Sequence, residues 1–132
     1  MRQTVFFPGK FQPPHIGHVI TISKLLKKYE VIIGISPDSP RVMTQKDVVK
    51  TFKKIFGDRV DYFIFSKILT NMTKGDVACL PKFDILISAG NDAVLSWGKK
   101  MGLKTKNIPR AKCIGASGSE LRRLMNERKG SR

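Results

Sequence analysis

Acidic residues, cysteine and histidine are all scarce in this chain, and each shortage narrows the reading. Ten Asp and Glu stand against 25 Lys and Arg, a formal charge of +15 over 132 residues. So basic a chain meets anions, either a nucleic acid or a small anionic molecule such as a nucleotide, drawn in by long-range steering. Many of the cations are lysines spread along helical stretches (Lys27, Lys28, Lys50, Lys53, Lys54, Lys99, Lys100), the usual composition of a solvated face. Aromatic residues make up only 8% of the chain, too few for a convincing base-stacking surface, and no RNA-binding motif is visible. Nucleic acid is therefore the weaker of the two partners. The two cysteines, Cys79 and Cys113, form no CxxC pair, and with two histidines at the wrong spacing they make no zinc site. The expectation is two buried thiols in a reducing cytoplasm. No apolar run approaches the roughly 20 residues of a membrane helix, and the apolar start of MRQTVFFPGK stops at Pro8, unlike a signal peptide.

What is present fits one globular domain spanning residues 1–132, with 41% hydrophobic residues. A chain of this size buries roughly two-thirds of its unfolded surface. Apolar runs at Thr4 to Phe7, Glu30 to Ser36, Val60 to Phe65 and Asp84 to Ser88 predict strands, with a weaker one at Leu103 to Ile108. Between them, Val19, Ile22, Leu25 and Leu26 recur at helical spacing within Ile16 to Tyr29. A second helix starts at Thr44, with Asp47 as a capping partner, and ends at Gly57. A third runs from Ala93 to Met101. Residues 67 to 82 predict a loop with a helical turn near Val77 to Leu80, and GASGSELRRLMNERK predicts a loop entering a last helix. This alternation predicts an α/β, Rossmann-like three-layer fold, a parallel sheet of about five strands with helices on both faces. Ligands of such sheets bind beyond the carboxyl ends of the strands, where the strand order reverses.

Three stretches fall there. GKFQPPHIGH, residues 9 to 18, follows the first strand and holds both histidines of the chain, His15 and His18. It has neither the spacing of a P-loop nor a GxGxxG fingerprint, and it is not HExxH. Histidines at i and i+3 share one face of a helix start. Gly17 lets a ligand approach the backbone, the free N–H groups of the helix start suit phosphate, and Lys10 adds a mobile cation. The stretch AGND, Ala89 to Asp92, follows the fourth strand. At the other end, Ser117 and Glu120 read as a capping box. Arg122 and Arg123 in that first turn oppose the helix dipole, a conflict that a bound polyphosphate relieves. Two phosphate-grade helix starts in one small domain suggest a nucleoside triphosphate held between them.

GKFQPPHIGH resembles the GRFQPxHxGH signature of the nucleotidyltransferases with an HxGH motif, and ASGSELR resembles their second signature, of the ISGTEIR type. The order and separation of the two also fit, and the resemblance spans nearly the whole chain. Within the superfamily it is most like the archaeal nicotinamide-mononucleotide adenylyltransferases, whose Phe-Gln-Pro stands here as Phe11, Gln12 and Pro13 and whose Gly-Asn looks like Gly90-Asn91. The resemblance implies a cytoplasmic enzyme that uses Mg²⁺ and moves a nucleoside monophosphate, most often AMP from ATP, onto a phosphorylated acceptor such as nicotinamide mononucleotide. Pyrophosphate leaves and no covalent enzyme intermediate forms.

It further implies that His15, His18 and Lys10 form the catalytic group, with His18 on the α-phosphate. Gly9, Phe11, Gly17, Ser117, Gly118, Ser119 and Arg122 would hold the nucleotide. Gly90, Asn91, Asp38 and Trp97 are acceptor-side candidates, although Trp97 fits a core position at least as well; Asp38 and Asp92 are candidate ribose or Mg²⁺ contacts, although single carboxylates in loops are usually solvated. Lys10 replaces the family's arginine and keeps the charge without the bidentate fork. Ser119 stands for threonine, and the Glu-Arg pair of archaeal members is missing from Thr44 to Val48, with Arg41 and Lys46 the nearby cations. A cytidylyltransferase for a polyol or sugar phosphate and a pantetheine-phosphate adenylyltransferase share the same chemistry. A basic nucleic-acid-binding protein that kept the fold without the activity is the reading of another class. Relatives often assemble, so a homo-oligomer is a further expectation.

Overall fold

A computed structural model describes residues 2–11, 13–37 and 43–109. The apolar runs form five strands: β1 (Thr4–Gly9), β2 (Glu30–Ile35), β3 (Val60–Ile64), β4 (Ile85–Ser88) and β5 (Thr105–Asn107). They pair, all in parallel, in the order β3-β2-β1-β4-β5. Beta-branched and aromatic residues predominate in the inner strands because both faces of a parallel sheet are covered. Along β1, Val5 and Phe7 point to one face and Phe6 to the other, all three buried.

On the first face lie α1 (Ile16–Leu26) and α2 (Gln45–Phe56), which bury Ile22, Leu25, Val48, Phe52 and Phe56 against Val5, Phe7, Val31, Ile33 and Ile87. On the second, α4 (Asp92–Lys100) and the segment after β3 bury Val94, Trp97, Phe65, Leu69 and Met72 against Phe6, Ile32 and Leu86. This is the expected three-layer Rossmann-like arrangement. Two glycines let the layers close. A Cβ on Gly34 would come within 2.6 Å of Phe6 Cζ and 2.8 Å of Phe65 Cε2, and one on Gly98 within 2.6 Å of Leu86 Cδ2.

Some boundaries differ from the sequence expectation. The helical turn expected at Val77 to Leu80 begins earlier, as α3 (Lys74–Val77), because Thr73 and Asp76 cap it reciprocally. The Asp76 carboxylate accepts the Thr73 N–H at 2.9 Å and the Lys67 ammonium at 3.0 Å. Those bonds hold its carboxyl below the usual range, the backbone bond foremost. α1 stops at Leu26, three residues short of Tyr29, where Lys27 takes the cap. Cys79, expected to be buried, is exposed. It follows the short α3 on the connection into β4, where no layer of the described residues covers it. The last predicted helix, Cys113 and the second signature lie outside the described residues. Among the described residues no helix is long and apolar enough to cross a membrane.

Candidate functional site

The strand order reverses between β1 and β4. From β1 the chain moves outward through β2 to β3, and from β4 it moves the other way to β5. α1 starts at the carboxyl end of β1 on one face of the sheet, and α4 starts at the carboxyl end of β4 on the other. The two helix starts therefore flank one crevice at the open edge.

His15 is the N-cap of α1, with extended backbone (φ −137°, ψ 175°). Its Nδ1 accepts the Gly17 N–H at 3.1 Å, and the Nδ1 of His18 accepts the His15 N–H, also at 3.1 Å. The two rings stack, with centroids 3.8 Å apart and planes inclined by 24°. This reciprocal bonding satisfies two amide protons that a helix start leaves without partners. It also fixes the chemistry of both rings. A neutral imidazole that accepts through Nδ1 carries its proton on Nε2, so each histidine has an Nε2–H to donate. His15 is exposed and His18 half-buried, with Gly17 buried between them and Lys10 exposed at the end of β1.

Phe11, expected to contact nucleotide, is a correction. It is only 3% exposed and packs with ring centroids 5.8 Å from Phe7, 5.0 Å from Phe52 and 4.7 Å from His18. Its side chain belongs to the core beneath the site. Among the described residues it is the non-glycine residue with positive φ, 51°. Gly9 lies directly under its ring: a Cβ there would meet Phe11 Cζ at 2.8 Å.

Across the crevice, Gly90 takes a left-handed φ of 76°, and its N–H donates to Asn107 Oδ1 at 3.0 Å. Asn91 is the N-cap of α4, its Oδ1 accepting from the Ala93 and Val94 N–H groups at 3.1 and 3.3 Å. The Ser88 hydroxyl donates to the Asn91 carbonyl at 2.9 Å and accepts the Asn91 N–H at 3.0 Å. Gly90 and Asn91 thus stand at the open edge, with Asp92 exposed in the first helical turn. Trp97 does not join them. It is buried two turns into α4, and its indole N–H donates to the Met72 carbonyl at 3.2 Å. That corrects its place among the acceptor-side candidates to the core position. Asp38, Ser117, Gly118, Ser119 and Arg122 lie outside the described residues.

One residue at this edge escaped the sequence reading. The Gln45 side-chain amide donates to the Ile35 carbonyl at 2.8 Å and to the Phe65 carbonyl at 3.0 Å. It ties the start of α2 to the carboxyl ends of β2 and β3. Gln45 carries no charge and no motif, and its two acceptors lie 10 and 20 residues away in sequence. A cavity of about 540 Å³, lined in part by Thr4, Pro81, Lys82, Asp84 and Leu103, opens at the opposite, amino-terminal edge of the sheet, away from both histidines.

The family model described as Cytidylyltransferase-like matches residues 6–123. A nicotinamide-nucleotide adenylyltransferase of Sulfurisphaera tokodaii is 31% identical, over 92% of this chain and 78% of its own length. One from Aeropyrum pernix is 30% identical, over 89% of this chain and 76% of its own. Among solved structures, a putative nicotinate-nucleotide adenylyltransferase from Vibrio parahaemolyticus superposes with a TM-score of 0.58 at 18% identity, over 96% of this chain and 88% of the other. A bifunctional NMN adenylyltransferase/ADP ribose pyrophosphatase from Francisella tularensis superposes with a TM-score of 0.57 at 14% identity, and this chain covers 42% of it. At those identities the two structures speak for the fold alone.

Proposed function

The chain belongs to the cytidylyltransferase-like family, and from that premise we propose that it transfers AMP from ATP to nicotinamide mononucleotide, releasing pyrophosphate. The observation that carries the proposal is the stacked histidine pair, two Nε2–H donors at the start of α1. The names of the two curated relatives supply the acceptor.

In the reaction a phosphate oxygen of nicotinamide mononucleotide attacks the α-phosphorus of ATP. A new P–O bond forms, the bond from the α-phosphorus to the bridging oxygen breaks, and pyrophosphate leaves with the electron pair. Such a transfer asks the protein for positioning and charge stabilisation more than for a nucleophile. The residues of this site match that demand. His15 and His18 donate from Nε2 to phosphate oxygens, His18 to the α-phosphate where charge grows. The aligned peptide dipoles of α1 add partial positive charge at its start. Lys10 balances the remaining phosphate charge. Gly90 and Asn91, on the β4 side of the crevice, face the acceptor.

Nucleotidyltransferases of this kind typically work with a divalent metal. Among the described residues no three His, Cys, Asp or Glu side chains group together. His15, His18 and Lys10 present hydrogen-bond donors, which suit anions, and the Asp92 carboxylate at the start of α4 is a single oxygen ligand, whereas Mg²⁺ takes several oxygens, commonly including phosphates of its nucleotide. The described residues do not by themselves build a Mg²⁺ site, and no step here is routed through the ion.

The test is pyrophosphate release with Mg²⁺, pairing ATP or CTP with nicotinamide mononucleotide, phosphopantetheine or glycerol 3-phosphate. The expected result is release with ATP and nicotinamide mononucleotide, falling by at least about two orders of magnitude in folded His18→Ala. Release with a different pair overturns the acceptor, and near-normal turnover in His18→Ala overturns the role of His18.

A further inference from the structure

Phe11 combines two properties that rarely meet in one residue. It is bulky, and its φ is 51°. A glycine would take that backbone without strain, whereas an L residue with a large side chain is disfavoured there. Such conformations persist only where the surroundings enforce them, and they cluster at functional sites. Here the left-handed turn directs the ring back over Gly9, where three of its atoms lie within 3.2 Å of the position a Cβ would occupy. Only a residue without a side chain leaves that space.

The ring then stands between the core and the catalytic imidazole. Phe52 of α2 packs against it in a T-shaped contact at 5.0 Å, and it meets His18, also T-shaped, at 4.7 Å. Among the described residues, His18 is thereby confined by the His15 N–H on its Nδ1, the stacked His15 ring, and Phe11. The first selects its tautomer, and the other two hold the ring in the plane where that bond forms, so that a ring released from Phe11 also loses its fixed tautomer.

We propose that Phe11, seated on Gly9, is a positioning residue that sets the plane and tautomer of the His18 ring for transfer to the α-phosphate. The proposal rests on the reading of this site as a nucleotidyl-transfer centre. It deepens that reading by assigning Phe11 an action through His18 in place of a contact with nucleotide.

The test is a double-mutant cycle on pyrophosphate release, joined to a measurement that needs no activity. Phe11→Leu is expected to lower kcat about tenfold or more, the scale of a misplaced catalytic group, with KM for ATP moving less than about threefold. In the His18→Ala background the same substitution is expected to change kcat by less than about twofold, because the residue it acts through is gone. Gly9→Ala, whose added methyl displaces the same ring, is expected to follow the same pattern and serves if Phe11→Leu does not fold. Equal losses in both backgrounds overturn the proposal.

The second measurement is nitrogen-15 NMR of the imidazoles, simple in a chain with two histidines. The unsubstituted protein is expected to hold His18 as the Nε2–H tautomer, and Phe11→Leu to let it average both. A His18 tautomer unchanged in Phe11→Leu and in Gly9→Ala overturns the positioning role even if no transferase activity is found. A shifted tautomer in an inactive protein leaves the positioning intact and overturns the proposed reaction instead.

Discussion

His15 has two tasks that one pair of substitutions separates. Its Nδ1 caps α1 by accepting the Gly17 N–H at 3.1 Å, and its Nε2–H donates to phosphate in the proposed reaction. His15→Ala removes both. Loss of a side-chain cap costs about 1 kcal/mol, and for a chain of this length that lowers Tm by roughly 3–5 °C. Loss of a preorganised donor to the transition state costs about 3 kcal/mol, roughly a hundredfold in turnover. Asparagine is among the best N-caps and carries no imidazole, so His15→Asn is expected to regain most of the lost Tm and almost none of the activity. Thermal melting by circular dichroism and pyrophosphate release, on the same three preparations, give the two readouts. An asparagine variant that recovers turnover would show that His15 only caps the helix. An alanine variant that melts with the unsubstituted protein would refute the capping energy derived from the structure.

Other outcomes are equally definite. Gly34→Ala inserts a methyl between Phe6 and Phe65, both essentially fully buried; overpacking of this kind is expected to cost about 1–3 kcal/mol, and a urea midpoint at or above that of the unsubstituted chain would contradict the contact. Gln45→Ala leaves two strand-end carbonyls without their side-chain donor, with an expected loss of about 1–2 kcal/mol, read as a lower urea midpoint at unchanged slope; an unmoved midpoint would mean the clamp contributes nothing. Tyr62 is pushed from its ordinary 10.0 up to about 12, by burial first and then by Asp58 and Asp61. Its raised value means the fold favours the protonated phenol, so this contribution to stability is full below pH 10 and drains as pH climbs toward about 12. Tyr62→Phe is expected to flatten the alkaline fall in stability and to remove the late tyrosinate absorbance step, and an unaltered titration would refute the assignment.

The elements that the sequence made legible are those with a local signal. The β-branched run of β2 and the four-apolar stripe of α1 announce their periods, and Gly57, at φ 58°, ends α2 where a terminating glycine was expected. The histidine pair was found by its rarity and its spacing. Its reciprocal capping was not, because serine, threonine, aspartate and asparagine are the residues that usually signal an N-cap. Phe11 was misplaced for a related reason. Its motif position says that it is near the nucleotide, but the sign of its φ, which turns the ring inward, is a property of the folded chain. Trp97 could be read either way until Met72 supplied a partner for its indole N–H, 25 residues off. Gln45 and the close approach at Gly34 depend on contacts between elements, and no periodicity within one element encodes them.

The order of the strands also bears on how the site comes into being. β1, α1 and β2 join by a short crossover, and β3 follows through α2, so the half of the sheet carrying the histidines draws its contacts from neighbours along the chain. The crevice needs something more distant. Its second wall arrives only when β4 docks beside β1, a pairing in which the Thr4 N–H meets the Asp84 carboxylate across 80 residues. Closing so long a loop carries an entropic cost that nearby pairings do not bear. The binding edge is therefore expected to be assembled late in folding, and a chain emerging from the ribosome would hold both histidines well before it had a place to put a nucleotide.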